Sequence, residues 1–146
     1  MQIRLALIDE AERVIDLYRE YNRPPDTPLS SEQARAIFTA LSAVGHVAVA
    51  ENDGALIGSY SLYICPNLSR GGRPFGVIEN VIVAATSRHM GVGKALMKHA
   101  QQSAVAANCY KLMLSTGCMS QENHLFYMSC GFIGDKLGFQ IRYDKN

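Results

Sequence analysis

No run of apolar residues in this 146-residue chain approaches the ~20 needed to cross a bilayer as a helix, so no membrane-spanning segment is expected. Charge of one sign is equally scarce. Fourteen Lys and Arg against 13 Asp and Glu leave a formal net charge of +1, which gives no electrostatic case for nucleic acid or an anionic membrane as the main partner. There are four cysteines, Cys65, Cys109, Cys118 and Cys130, and their scatter fits neither a disulfide framework nor a zinc spacing. With no secretory leader pattern, this predicts free thiols, a cytoplasmic setting and no metal. Repeats, low-complexity tracts and linkers are also missing. At 48% hydrophobic and 18% charged, the balance excludes disorder, and a single domain over 1–146 with a proper core is expected.

The local patterns predict the elements in order. Met1–Leu7 alternates weakly and reads as a strand. Asp9 with Glu12 gives a reciprocal cap for a helix whose inward stripe is Ala11, Val14, Ile15, Tyr18 and Asn22, stopped by Arg23-Pro24-Pro25. Ser30 with Gln33 opens a second helix that buries Ala34, Ile37, Phe38 and Leu41. His46–Glu51 and Ala55–Ile64 read as strands around Asn52-Asp53-Gly54, a strong hairpin signal. A loop follows at Cys65–Phe75, then a strand at Gly76–Val83 and a long helix to about Ala107 that buries Val92, Leu96, Ala100 and Ser103. Lys111–Ser115 reads as a strand, and Ser120–Cys130 as a short helix closed by Gly131. Phe132–Lys136 with Gly138–Tyr143 would form a last hairpin. This order predicts a mixed α/β fold, six to seven strands in one sheet with about four helices on its faces.

The most informative stretch is the junction after the Gly76–Val83 strand. Val81-Ile82-Val83 runs into a polar turn, and Arg88-His89-Met90-Gly91-Val92-Gly93-Lys94-Ala95 then opens the long helix. A helix N-terminus leaves backbone N–H groups unpaired and carries partial positive charge. Glycine lets the backbone approach a phosphate without a Cβ in the way. Arg88, His89 and Lys94 add charge on that side, so the turn reads as a pyrophosphate site. A nucleotide P-loop is excluded because Ala95 follows Gly93-Lys94 where Ser or Thr is needed, and Arg88 stands five before Gly93. A dinucleotide fingerprint is excluded because Leu96 takes the place of its third glycine.

What remains, Arg-x-x-Gly-x-Gly-x-x-Leu, resembles the acetyl-coenzyme A signature of the GNAT superfamily of N-acetyltransferases. A second block, Asn123-His124-Leu125-Phe126-Tyr127-Met128-Ser129-Cys130-Gly131-Phe132, resembles the Asn…Phe-Tyr…Gly-Phe segment that closes the coenzyme cleft in that superfamily. The resemblance runs firmly from Gly76 to Phe132 and implies a GNAT-like fold with a central, mostly antiparallel twisted sheet. It implies acetyl-coenzyme A as co-substrate, with the backbone of Val81, Ile82 and Val83 along the pantetheine arm and residues 88–95 on the pyrophosphate. Asn123 and Phe126 would also line the coenzyme. Homodimers, common in such families, are an arrangement it allows.

By the same resemblance Tyr127 donates toward the departing thiolate. Phenol-to-thiolate transfer between unperturbed groups is uphill by roughly 1.5 pH units, about 2 kcal/mol, so hydrogen-bond stabilisation is the alternative to complete transfer. Glu79 interrupts an apolar strand and so is expected to face a wet cleft. Two readings stand open for it: base or water-relay carboxylate, or a carboxylate that pairs with Arg73 or binds substrate without moving protons. A carboxylate and an amine differ by about 6 pH units, so a base role needs desolvation or a relay. A cysteine acyl-enzyme or a metal at Cys118, His124 and Cys130 lacks the necessary context. Arg70 and Arg73 sit in a cationic loop suited to an anionic group on the acceptor, with Asn80 and Ser115 as further acceptor candidates.

Ile78–Val83 and Asn108–Lys111 look closest to glucosamine-6-phosphate N-acetyltransferases. Asn80 and Ser115-Thr116-Gly117 stand where that subgroup has acidic residues. The reading is direct acetyl transfer to a small, anionic primary amine. The alternatives are a coenzyme-binding module without turnover and a protein or peptide N-acetyltransferase.

Overall fold

The structure is a computed structural model and describes residues 1–21, 27–116 and 121–143. Asn22, the Arg23-Pro24-Pro25 stop, Gly117, Cys118 and the Ser120 helix start lie outside the described residues. The chain divides into two compact units, Met1–Leu114 and Ser115–Asn146.

The first unit is a five-stranded sheet in sequence order: β1 (Gln2–Leu5), β2 (Gly45–Asn52), β3 (Ala55–Cys65), β4 (Phe75–Val83) and β5 (Leu112–Leu114). Neighbours are antiparallel except β4 and β5, which run parallel. Helices α1 (Ala11–Leu17), α2 (Ser31–Ser42) and α3 (Val92–Ala106) connect the strands. Asp53 and Gly54, both at positive φ (49° and 79°), make the two-residue turn between β2 and β3. Both faces of β2 are covered, which is why Val47-Ala48-Val49-Ala50 is a continuous buried run. Val47 and Val49 pack with Val14, Tyr18, Phe38 and Leu41. On the other side a Cβ on Gly58 would lie 3.2 Å from Val92 Cγ1 and 3.1 Å from Leu96 Cδ1, so α3 lies tight on the sheet there.

Local signals came through with differences. Ser30 and Gln33 form the expected reciprocal cap of α2. Asp9 does not cap α1; it pairs with Arg35 at 2.6 Å, while a 3₁₀ turn at Ile8–Glu10 leads into the helix and Glu10 accepts from the Leu7 amide at 2.9 Å. Leu17 joins the buried stripe and Ile37 leaves it.

The second unit contains α4 (Gln121–Ser129), closed as expected at Gly131 (φ 90°). The Gly131 amide donates to Met128 O at 2.9 Å and the Phe132 amide to Tyr127 O at 3.1 Å, the paired bonds of a Schellman end. The expected closing hairpin is corrected. Residues 132–143 form no strand, and the sheet has five strands among the described residues, not six to seven. Leu137 alone separates the two segments, whereas the shortest common hairpin loops need two residues. Leu137, Phe139, Ile141 and Tyr143 are all exposed.

Candidate active site

The site begins with a register shift. Opposite β4, Ser61 pairs with Glu79 and Ser59 with Ile82, so Asn80 and Val81 together face Tyr60. This is a β-bulge, and Asn80 takes the left-handed conformation it needs (φ 54°). The extra residue swaps which backbone groups point outward. Before the bulge, the Gly76 amide donates to Lys111 O on the β5 side at 2.9 Å; after it, the Ala84 amide donates to Ile57 O on the β3 side at 2.9 Å. Backbone groups alternate along a strand, so Ile82 is turned toward β3 while Val81 and Val83 point from the edge β5 occupies lower down. Parallel pairing with β5 ends at Ile78, and the edge from Glu79 to Val83 continues past it.

That edge leads into the glycine turn. His89 (φ 62°) and Gly91 (φ 82°) are both left-handed, and Gly91 is the N-cap of α3. Helical hydrogen bonding begins with the Ala95 amide to Gly91 O at 3.0 Å, so the amides of Val92, Gly93 and Lys94 precede any intrahelical acceptor. The side chain of Val92 is buried in the core, leaving only its backbone at the turn. Arg88, His89, Met90, Gly91 and Lys94 are exposed, and Gly93 and Ala95 half-buried. Arg88 donates from Nε to Val83 O at 3.3 Å.

Glu79 and Asn80 are exposed. Arg73 is not a partner for Glu79, because its guanidinium donates to Asn108 O at 3.3 Å and Cys109 O at 3.0 Å. Arg70 lies 5.7 Å from the centre of the Tyr110 ring, which Lys111 also approaches at 5.6 Å. Phe75 is six residues before Val81, or ~20 Å at strand rise. The Arg70–Tyr110–Lys111 cluster therefore flanks the far end of β4 from the glycine turn.

Within the second unit, Asn123, Phe126 and Tyr127 are half-buried on α4, and Ser115 is exposed. The Tyr127 ring packs edge-on against Phe126 at 5.0 Å and Phe132 at 6.1 Å. Burial, and then the neighbouring Cys130, push its phenol above the ordinary value, which keeps it protonated at neutral pH. Cys65 and Cys109 are free thiols. Among the described residues no group of three His, Cys, Asp or Glu side chains could hold a metal, and no helix is long and apolar enough to cross a membrane.

One cluster had no local signal. His46, Tyr60 and His99 come from β2, β3 and α3, with the Tyr60 hydroxyl 3.3 Å from His46 Nε2 and 2.7 Å from His99 Nδ1. Burial lowers both imidazoles and pushes Tyr60 up to about 12.

Comparison with known proteins supplies the family. Residues 11–132 match the profile of the acetyltransferase (GNAT) family. A glucosamine 6-phosphate N-acetyltransferase of Trypanosoma brucei brucei is 39% identical over 79 residues, 54% of this chain and 52% of that protein, so the matched region spans about half of the relative. A rice (Oryza sativa subsp. japonica) protein named Probable glucosamine 6-phosphate N-acetyltransferase 2 is 28% identical over 137 residues, 89% of this chain and 80% of its own length. The structure of a provisionally named acetyltransferase from Agrobacterium tumefaciens str. C58 superposes with a TM-score of 0.89 at 39% identity, covering 97% of this chain and 99% of that one. The overall fold is thus a known architecture, and the chain belongs to the acetyltransferase (GNAT) family of acyltransferase enzymes.

Proposed function

We propose that the chain transfers acetyl from acetyl-coenzyme A directly to the primary amine of a small, anionic molecule, with an amino-sugar phosphate as the first acceptor to test. The observation that carries the reading is the outward edge of Val81 and Val83 running into the left-handed Gly91 cap of α3. A pantetheine arm has amides that pair with such an edge as a strand would, and its pyrophosphate suits the amides of Gly91–Lys94 with Arg88, His89 and Lys94 around them. The relatives named for glucosamine 6-phosphate support the acceptor class.

In this reading the Val81 N–H polarises the thioester carbonyl and the amine attacks it. The ammonium proton leaves first, through water held by Glu79, whose exposure favours a relay over direct abstraction. Tyr127 donates a hydrogen bond to the departing thiolate, and its raised value favours that over complete transfer. Asn123 and Phe126 line the arm. Arg73 is committed to two carbonyls, so Arg70, Asn80 and Ser115 are the stronger acceptor candidates. The two units act as one N-acetyltransferase domain, in the cytoplasm, and a homodimer is the assembly to look for.

The test is release of free thiol from acetyl-coenzyme A in the presence of amines, with glucosamine 6-phosphate first in the panel. Turnover with a small amine supports the proposal. Binding without turnover on any amine would favour a coenzyme-binding module, and turnover confined to peptides would favour a protein acetyltransferase.

A further inference from the structure

The outward edge of β4 is already occupied by side chains of the chain itself. The Tyr21 hydroxyl donates to Val81 O at 3.4 Å, Arg88 Nε donates to Val83 O at 3.3 Å, and the Ala85 amide donates to Glu20 Oε2 at 3.3 Å. Glu20 Oε2 also stands 3.7 Å from the Arg88 guanidinium. Val81 and Val83 share one parity of β4 and Ala85 opens the 3₁₀ turn just beyond its end, so these groups follow one another along one side of the chain. Glu20 ends the 3₁₀ turn Tyr18–Glu20 that extends α1, and Tyr21 follows it with its ring 5.8 Å from that of Tyr18. One short segment thus covers the edge from Val81 to Ala85.

We propose that Glu20 and Tyr21 form a displaceable latch that competes with the coenzyme for this edge and sets its affinity; the inference rests on the coenzyme reading above. Tyr21 imitates the pantetheine arm by capping a carbonyl, and Glu20 imitates the pyrophosphate by putting a carboxylate on an amide beside Arg88. A bound arm and these contacts exclude each other, and a negative Glu20 opposes a pyrophosphate approaching Arg88. The bond lengths suit exchange. At 3.3–3.4 Å all three are long and weak, whereas the structural pair Arg4–Glu10 closes at 2.7 Å. The latched fraction of molecules is withdrawn from binding, so removing the latch raises apparent affinity.

The test measures dissociation constants of acetyl-coenzyme A and of 3′-phospho-ADP, which lacks the pantetheine arm, by calorimetry on wild type, Glu20→Ala, Glu20→Gln and Tyr21→Phe. Glu20→Ala should bind both ligands about three- to tenfold more tightly, with Glu20→Gln between it and wild type. Tyr21→Phe should tighten acetyl-coenzyme A alone. The Ala85 amide resonance should move on Glu20→Ala without any ligand. Equal or weaker binding by the variants, while wild type binds both ligands, would overturn the latch and leave the coenzyme reading standing. A wild type that binds neither ligand overturns both. An unmoved Ala85 resonance overturns the latch by itself.

Discussion

Gly91 and Gly45 are both indispensable as glycines, for opposite reasons. Gly91 sits at φ 82° with nothing within 4 Å of where a Cβ would be, so Gly91→Ala meets only the left-handed penalty. That should cost about 1 kcal/mol in urea unfolding and loosen acetyl-coenzyme A binding, because the α3 cap must shift. Gly45 is not at positive φ, but a Cβ there would lie 1.8 Å from Leu62 O and 3.0 Å from Tyr63 Cα, both backbone atoms of β3. Gly45→Ala should cost about 3 kcal/mol or more in the same measurement, because β2 and β3 must part to admit it. Gly91 was singled out in the sequence by the Gly-x-Gly spacing around it, and the structure makes it the left-handed N-cap of α3. Gly45 was not, since the atoms that forbid a side chain belong to residues 17 and 18 positions later. Tyr127 is a candidate by resemblance alone; nothing in its local pattern distinguishes it from a core tyrosine. Under the proposed mechanism, in which the hydroxyl acts on the leaving thiolate and not on the bound thioester, Tyr127→Phe should lower kcat by ~10²-fold while KM for acetyl-coenzyme A stays within about twofold. Stopped-turnover thiol assays with saturating amine check this, and an unchanged kcat would remove Tyr127 from the mechanism.

At the scale of elements, strands and helices announced by local chemistry were recovered: the Asp53-Gly54 hairpin, the Ser30 cap and the Gly131 end each need only three or four neighbouring residues. The element that makes the site, the bulge in β4, was invisible, because a bulge is a register difference between two strands and neither strand states it alone. The start of α1 was misplaced for a related reason. Its charge network joins residues far apart: Arg4 of β1 donates to both Glu10 carboxylate oxygens at 2.7 Å and to Glu51 of β2 at 2.7 Å, and Arg13 of α1 bonds Glu10 at 3.1 Å and Gly54 O at 2.7 Å. Hydrogen bonds from Arg4, outweighing burial, hold the Glu10 carboxyl down at about 2. A carboxylate depressed in the folded state contributes stability that is fully present above its unfolded value near 4.5 and is lost as pH falls toward 2. Glu10→Gln should therefore cost about 2 kcal/mol at pH 7, leaving Arg4 and Arg13 short of a buried partner, and should flatten the acid limb of stability between pH 4.5 and 2. Chemical denaturation of both proteins at pH 7 and pH 3 measures this; a variant that keeps the wild-type acid limb would show that the network is not what the acid titrates.

For the molecule as a whole, sheet class and helix count could be read from order and periodicity, while the contacts that lock the layers together could not. His46, Tyr60 and His99 are separated by 14 and 39 residues and meet only because β2 and β3 pair in register and α3 crosses the same face. The Tyr60 hydroxyl has one proton. With both imidazoles neutral it donates that proton to one ring and accepts an N–H from the other. Protonating both rings leaves the hydroxyl facing two donors and puts two positive charges on rings 6.3 Å apart. Ser103 of α3, which also reaches the Tyr60 hydroxyl, is uncharged and does not offset the charge. Burial lowers both histidines, His99 adding to the effect on His46. For a histidine depressed in the folded state the unfolded chain takes up protons first, so stability is complete above the unfolded value near 6.5 and declines as pH drops below it. Melting temperature should thus fall by a few degrees between pH 7.5 and 5.5, well before the Glu10 window opens. His46→Gln combined with His99→Gln should lower the melting temperature at pH 7.5 yet remove most of that pH dependence. Because the glycine turn caps the N-terminus of the helix that carries His99, acetyl-coenzyme A binding should weaken over the same interval in wild type and hold steady in the double variant. Melting and calorimetric titrations at the two pH values decide it. A double variant that melts with the wild-type pH slope would place the titrating groups elsewhere.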